Sequence, residues 1–222
     1  STPLYSSAAS DVYKRQASFL QTPAWARVKS EWRGERIGFY DGDELTGVGL
    51  ILYRKLPKLP RYLAYLPEGP VLDWSRDDID EHFDALVAHV KKRQAFAVRV
   101  GPAVVHRMWG TKTIKTAIAD DNVTSLTEVA PDAITPEGER VVSVLKRGGW
   151  ITDNTGQGFA AGQPQFNFQL SLRHEDGTQK SEDELLKGMN QLWRRNIKKA
   201  AKLGVEVKLG TRDDLARFHQ VY

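Results

Sequence analysis

At 222 residues with 41 % hydrophobic side chains, the chain can bury one large core or two small ones, and disorder over most of it is excluded. It has no cysteine, which removes disulfides, thiolate nucleophiles and thiolate metal sites. No apolar run approaches the roughly 18 residues that span a bilayer and no signal peptide is visible, so a reducing cytoplasm is the expected compartment.

Residues 1–16, STPLYSSAASDVYKRQ, resemble a peptide translated from adapter sequence at the ends of metagenomic reading frames, and they are set aside as a leader. Thr22 followed by Pro23 opens a helix, PAWARVKSEW, because threonine caps and proline is tolerated in the first turn. A hairpin follows, ERIGFY and LTGVGLILYRKL, joined at Asp41-Gly42. RYLAYLPEG reads as a third strand, ended by Gly69-Pro70. Ser75 and Asp78 are placed to box the start of a helix whose stripe is Ile79, Phe83, Leu86, Val87 and Val90. AFAVRV, short and apolar, fits a central strand. Between Gly101 and Asp132 only a short helix near Val123 to Val129 is suggested. Pro136 starts another helix, closed by Gly148 and Gly149.

A glycine-rich linker, TDNTGQGFAAGQPQ, separates this from FNFQLSL, in which Phe166, Phe168, Leu170 and Leu172 alternate with polar residues as in a strand. Gly156, Gly158 and Gly162 are not followed by a helix pattern, so they read as linker and not as a nucleotide loop. From Ser181 to Gly204 one long amphipathic helix is expected, boxed by Ser181 and Glu184, stopped by Gly204, with Leu186, Met189, Trp193, Ile197, Ala200 and Ala201 on a core. Arg194, Lys198 and Lys202 fall in one i, i+4, i+8 row, with Arg195 and Lys199 beside them. Between Lys187 and Lys208 seven Lys or Arg meet one acid, Glu206. That excess of six exceeds the net +4 of the whole chain, so everything else is slightly acidic. Such a row is a solvated face or a polyanion site, and five adjacent like charges repel unless an anion comes near. VEVKLG then reads as a strand, and Thr211, Asp213 and Asp214 start a final helix that stops without cap or polar tail, as in a fragment. His82, His89, His106, His174 and His219 show no metal spacing and read as surface or capping residues.

Three stretches together resemble the FemABX family of aminoacyl-tRNA-dependent transferases that build peptidoglycan cross-bridges. They are Phe19-Leu-Gln-Thr22 running into WARVKSEW, the turn LPEGPVLD from Leu66 to Asp73, and QPQFNFQLSL followed by LWRRNIKKAAKLGVEV. The resemblance covers roughly residues 18 to 222 in the expected order. It implies an α/β (α+β) acetyltransferase-like, or GNAT-like, fold: a mixed sheet flanked by helices, complete at 17–162 and begun again, truncated, at 163–222.

The same resemblance implies that the amine of a stem peptide on a peptidoglycan precursor, UDP-linked or lipid-linked, attacks the ester of an aminoacyl-tRNA. No cofactor or metal enters that reaction. The expected molecule is a cytoplasmic monomer, peripheral to the membrane where the acceptor is lipid-linked. Lys29 in WARVK matches the lysine that grips the precursor's phosphates, and Trp32 an aromatic beside it; without the resemblance these would be a solvated lysine and a core cover. Phe96 and Arg99 lie on the strand expected to floor the precursor cleft. Phe96 lacks the hydroxyl a tyrosine would bring, and Arg99-Val100-Gly101-Pro102 lacks the acid of the family's Arg-x-Asp-Pro. Arg194, Arg195, Lys198, Lys199 and Lys202 are the candidate tRNA contacts. Catalytic groups are expected beyond Tyr222, which would leave these residues inactive alone. Two alternatives stand beside this one. An acyl-CoA-dependent N-acetyltransferase would need a Gly-rich pyrophosphate turn, which is not found. A non-catalytic RNA-binding module would leave the Lys29 and Gly69-Pro70 regions without a purpose.

Overall fold

The computed structural model describes residues 17–152, 163–174 and 176–222, so the leader and most of the glycine-rich linker lie outside the described residues. Two compact units divide after Gln165. The first is mixed α/β.

Its first helix, α1, runs from Pro23 to Val28, with Thr22 Oγ1 accepting from Trp25 N at 3.4 Å. It stops four residues short of the expected Trp32, because the chain must leave the helix to enter β1, Arg33–Asp41. Strand β2, Glu44–Lys55, returns through Gly42 and Asp43, and Gly42 sits at φ +57, a conformation glycine adopts without steric cost. Antiparallel to the second half of β2 lies β3, Tyr62–Leu66, and against its first half lies the two-residue β4, Val71–Leu72. Helix α2, Ile79–Lys92, then leads to β5, Ala95–Val100, which pairs with β3 in parallel. The order is β1-β2-β3-β5, with β4 beside β2. AFAVRV is therefore an outer strand among the described residues and not a central one, and Phe96 falls in a bulge where Tyr62 pairs Ala95 but Leu63 pairs Ala97.

One face of the sheet buries Ile51, Tyr53, Ala64 and Leu66 against Ile79, Phe83, Leu86 and Val90 of α2, the stripe its periodicity predicts except for Val87. Complete burial of such side chains stabilises by roughly 1.5–3 kcal/mol each. The opposite face buries Leu50 and Leu52, and α1 packs there on β1 and β2. The box expected at the start of α2 does not form: Asp78 sits at the cap position without a capping bond, because Arg76 takes its carboxylate through two bonds of 2.8 and 2.6 Å. A bidentate charge-assisted pair outcompetes a single backbone N–H. His82, expected at the surface, is buried between Thr46 Oγ1 at 3.0 Å and the Asp78 carbonyl at 2.8 Å.

Beyond β5 the sequence was hardest to read. Short strands β6, Arg107–Met108, and β7, Ala133–Ile134, pair with each other and flank an unforeseen helix α3, Thr111–Ile118, that starts at Gly110 without a side-chain cap. The expected helix near Val123 to Val129 is only a 3₁₀ turn, Leu126–Glu128, boxed by Ser125 and Glu128. Helix α4, Pro136–Arg147, is capped by Thr135, ends at Gly148, and adds Val141 and Val144 to the core.

In the second unit the single long helix is two. Helix α5, Glu182–Gly188, keeps the Ser181–Glu184 box, and α6, Gln191–Lys202, starts afresh with Asn190 Oδ1 accepting from Trp193 N at 2.9 Å. Gly188, a poor helix former, followed by Asn190, a strong cap, outweighs the continuous apolar period. Gly204 has the left-handed φ of +72 expected of a stop. Neither FNFQLSL nor VEVKLG is a strand; a strand needs a ladder, and the described residues offer only an isolated bridge, Arg173 to Gln179. A 3₁₀ turn, Arg212–Asp214, leads into α7, Leu215–Val221. None of the described residues of this unit is buried; Trp193 and Ile197, placed on a core by periodicity, are exposed, as are Phe166 and Phe168.

Candidate functional site

At the carboxyl ends of the parallel strands β3 and β5 the chain turns through Pro67–Pro70 and through Gly101-Pro102, and the two turns are joined by Gly101 N donating to Gly69 O at 3.2 Å. Carboxyl ends of parallel strands are where open α/β sheets present loops to ligands. The Phe19–Gln21 turn reaches the same place. Gln21 Oε1 accepts from Leu50 N at 2.8 Å, and its amide donates to Pro67 O. Leu50 lies where β2 has left β4 and not yet met β3, so the carboxamide completes a ladder the strands leave open. A Cβ on Gly69 would fall within 2.6 Å of that carboxamide, which is why glycine stands there.

Beside this junction Trp32, at the foot of β1, lies 6.3 Å from the Tyr65 ring, and the Arg54 guanidinium sits 5.6 Å over Trp32. Tyr65 is the register partner of Arg99. Burial pushes the Tyr65 phenol up, the Arg99 charge pulls it down and the Glu68 carboxylate raises it, so all three groups share one electrostatic neighbourhood. The sequence-derived residues Trp32 and Arg99 thus belong to one array, Arg54–Trp32–Tyr65–Arg99, linked by a tyrosine that sequence reading did not single out. Its signal was there: Leu63 and Tyr65 alternate with Tyr62, Ala64 and Leu66, as expected for a strand covered on both faces.

Lys29 is the C-cap of α1, its carbonyl accepts from Trp32 N at 2.9 Å, and its ammonium rests 5.4 Å over Trp25. It shares a turn with Trp32 while its charge is held toward the start of α1. Phe96 stands apart, exposed in the bulge of β5, and pairs with no residue of β3. Two guanidinium groups around a tilted aromatic pair suit a ligand with a planar or apolar part and an anionic group, which guanidinium grips bidentately.

The second feature is on α6. Arg194, Arg195, Lys198, Lys199 and Lys202 are all exposed, and none forms an ion pair among the described residues. With Asn190 fixing the helix start and Gly204 its end, the row is positioned by local bonds alone.

The sequence profile of the FemAB family matches residues 11–222. A lipid II:glycine glycyltransferase of Staphylococcus epidermidis is 24 % identical over 201 residues, 90 % of this chain and 41 % of that protein. One of Staphylococcus aureus is 24 % identical over 205 residues, 91 % of this chain and 41 % of its length. Over a shorter stretch of 92 residues, 40 % of this chain and 22 % of the relative, the enzyme of the same name from Staphylococcus saprophyticus is 34 % identical. The crystal structure of FemX superposes with a TM-score of 0.58 at 22 % identity, over 96 % of this chain and 47 % of that one, a likeness of fold. The chain spans about two fifths of the length of the relatives that match along most of it.

Proposed function

The chain belongs to the FemAB family, and on that premise we propose that it forms part of an aminoacyltransferase that extends the stem peptide of a peptidoglycan precursor. The observation that carries the reading is the Arg54–Trp32–Tyr65–Arg99 array at the junction of Gln21, Pro67–Pro70 and Gly101. Two of the stretches that resemble the family are hydrogen-bonded there to each other. In this reading the array receives the precursor, guanidinium groups taking its anionic groups and the rings its apolar part, with Lys29 at the rim. The relatives named for lipid II support a lipid-linked acceptor. The proposal keeps a cytoplasmic protein that meets this acceptor at the membrane surface; no helix among the described residues is long and apolar enough to cross a membrane.

The donor in this proposal is an aminoacyl-tRNA, held by the cationic row of α6. The neutral amine attacks the ester carbonyl, a C–N bond forms, and the tetrahedral intermediate collapses with loss of the ribose oxygen. The amine proton passes to that leaving oxygen, leaving an amide and free tRNA. Such an ester is already activated, and holding amine and ester together supplies much of the barrier reduction, effective molarities reaching about 10⁵–10⁸ M in favourable systems. The proposal keeps the acetyltransferase-like fold, with domains at 17–162 and from 163 onward, and a monomer; it assigns no catalytic group to residues 1–222.

Calorimetric titration of the chain with UDP-linked precursor, and with lipid-linked precursor in detergent, tests the acceptor half. Binding that weakens at least tenfold in Arg99→Ala supports the reading, and equal binding by both proteins removes the array from it.

A further inference from the structure

Strand β1 ends the sheet order, and no backbone partner other than β2 reaches residues 33–41 among the described residues. Nature blunts such edges with Lys, Pro, bulges or a cover. Between Arg33 and Asp41 there is neither Lys nor Pro and two of the nine residues are glycine, so the protection is limited to the charges of Arg33, Glu35, Arg36 and Asp41 and one irregularity between Phe39 and Tyr40.

The edge is also one wall of a groove of about 610 Å³, lined by the whole run from Glu35 to Asp41 and, opposite, by α2. The helix presents Glu81, Ala85 and His89, one residue per turn, to it. Ile37 and Ala85 give it apolar surface, over the buried Phe39 and Leu86. The Glu35 end is committed: its carboxylate accepts from Tyr53 Oη at 2.7 Å and from Arg93 at 2.7 and 3.2 Å, with His89 Nε2 at 3.3 Å. The Asp41 end is more open. Asp41 is largely exposed and pairs with Arg76 at 3.7 Å, a guanidinium that Asp78 holds at 2.6 Å, and the Glu81 carboxylate has no partner among the described residues. A strand edge beside a helix, with an apolar middle and open carboxylates at one end, is the geometry that captures an extended chain by strand addition.

We propose that this groove binds an extended peptide carrying a lysine or arginine, the peptide pairing with the edge of β1, its alternate apolar side chains on Ile37 and Ala85, and its cation between Asp41 and Glu81. Seven residues at about 3.3–3.4 Å each cover the run from Glu35 to Asp41, so a heptamer fills the site. The surface is separate from the Trp32–Tyr65–Arg99 array and does not depend on the reading given to it.

The test uses the whole 222-residue chain and the acetylated, amidated peptide Lys-Ser-Val-Ser-Val-Ser-Lys, which presents a cation at the open end in either direction. Amide resonances of Arg36 and Gly38 should shift on titration. The counterpart with glutamates for lysines should bind at least tenfold more weakly, Glu81→Lys should lower affinity for the lysine peptide at least tenfold, and Glu81→Gln should fall between. A version methylated on alternate backbone nitrogens should fail for at least one of the two methylation phases. The proposal is overturned by equal affinity for both charge types, by affinity unaltered in Glu81→Lys, or by no shift at millimolar peptide. Concentration-dependent dimerisation that moves the same amides without peptide would assign the edge to a second copy instead. Glu81 is an exposed helix residue, so its variants retain the fold.

Discussion

Gln21 and Leu50, 29 residues apart, are joined by a 2.8 Å hydrogen bond in which a side-chain carboxamide takes the place of a neighbouring strand. Leu50 is fully buried beneath that carboxamide, so its N–H loses its partner when the side chain is cut back. Gln21→Ala is expected to destabilise by roughly 1–3 kcal/mol, the cost of an unsatisfied buried donor. Gln21→Glu should fare little better, since it keeps the acceptor but places a carboxylate against the Pro67 carbonyl. Urea unfolding of the three proteins with unchanged m-values would check this; a loss below about 0.5 kcal/mol in both variants would mean that water replaces the carboxamide.

Local chemistry was legible in the sequence at several cap and turn residues that act on their own neighbours. Thr22, Gly42, Thr135, Ser181 and Gly204 all do what their residue type suggests. Part of what was not legible depends on residues distant in sequence. Tyr65 meets Arg99 only because β3 and β5 are parallel neighbours, and the Gln21 bond exists only because β2 is shared between β3 and β4. Asp78 was misread because Arg76 competes for it, and the long helix because an apolar period passes through Gly188 and Asn190 without registering their preference. FNFQLSL has the alternation of a strand, but alternation supplies no partner.

The array makes a second expectation. Arg99→Lys keeps the charge but loses the planar fork, so it should recover little of the precursor affinity lost in Arg99→Ala. Tyr65→Phe removes only the hydroxyl and should weaken binding by about three- to tenfold, the range of one hydrogen bond. Lys29→Ala should weaken it as well, with a stability change within roughly ±0.5 kcal/mol. Thermal unfolding beside each titration separates the two effects, and a variant that unfolds early while binding normally marks a structural residue.

Glu35 makes a third. Burial raises its carboxyl, but bonds from Tyr53 and Arg93 and the His89 ring nearby together outweigh that and hold it below its ordinary value of 4.5. A depressed carboxyl stabilises the fold fully above its unfolded value and ceases to do so as pH falls through the folded one. Stability should therefore decline below about pH 4.5 more steeply in the wild type than in Glu35→Gln, whose amide does not titrate. Denaturant midpoints measured from pH 6 downward would show parallel curves if Glu35 were not involved.

The cationic row of α6 gives the last. Arg194, Lys198 and Lys202 lie on one line with Arg195 and Lys199 beside it, without an ion-pair partner among the described residues, so every charge is free to meet a phosphate. If this helix holds the tRNA, each contact releases counterions, and the logarithm of affinity falls linearly with that of salt concentration. Replacing Lys198, Lys199 and Lys202 with glutamine should then flatten that slope by about 2 to 3. Glutamine and lysine have similar helix propensity, and the cap at Asn190 is untouched, so circular dichroism should not change. Filter binding of aminoacyl-tRNA across a salt series, with the triple variant beside the wild type, reads the slope directly. A slope that is unaltered while helicity is retained would return these lysines to the role of a solvated face.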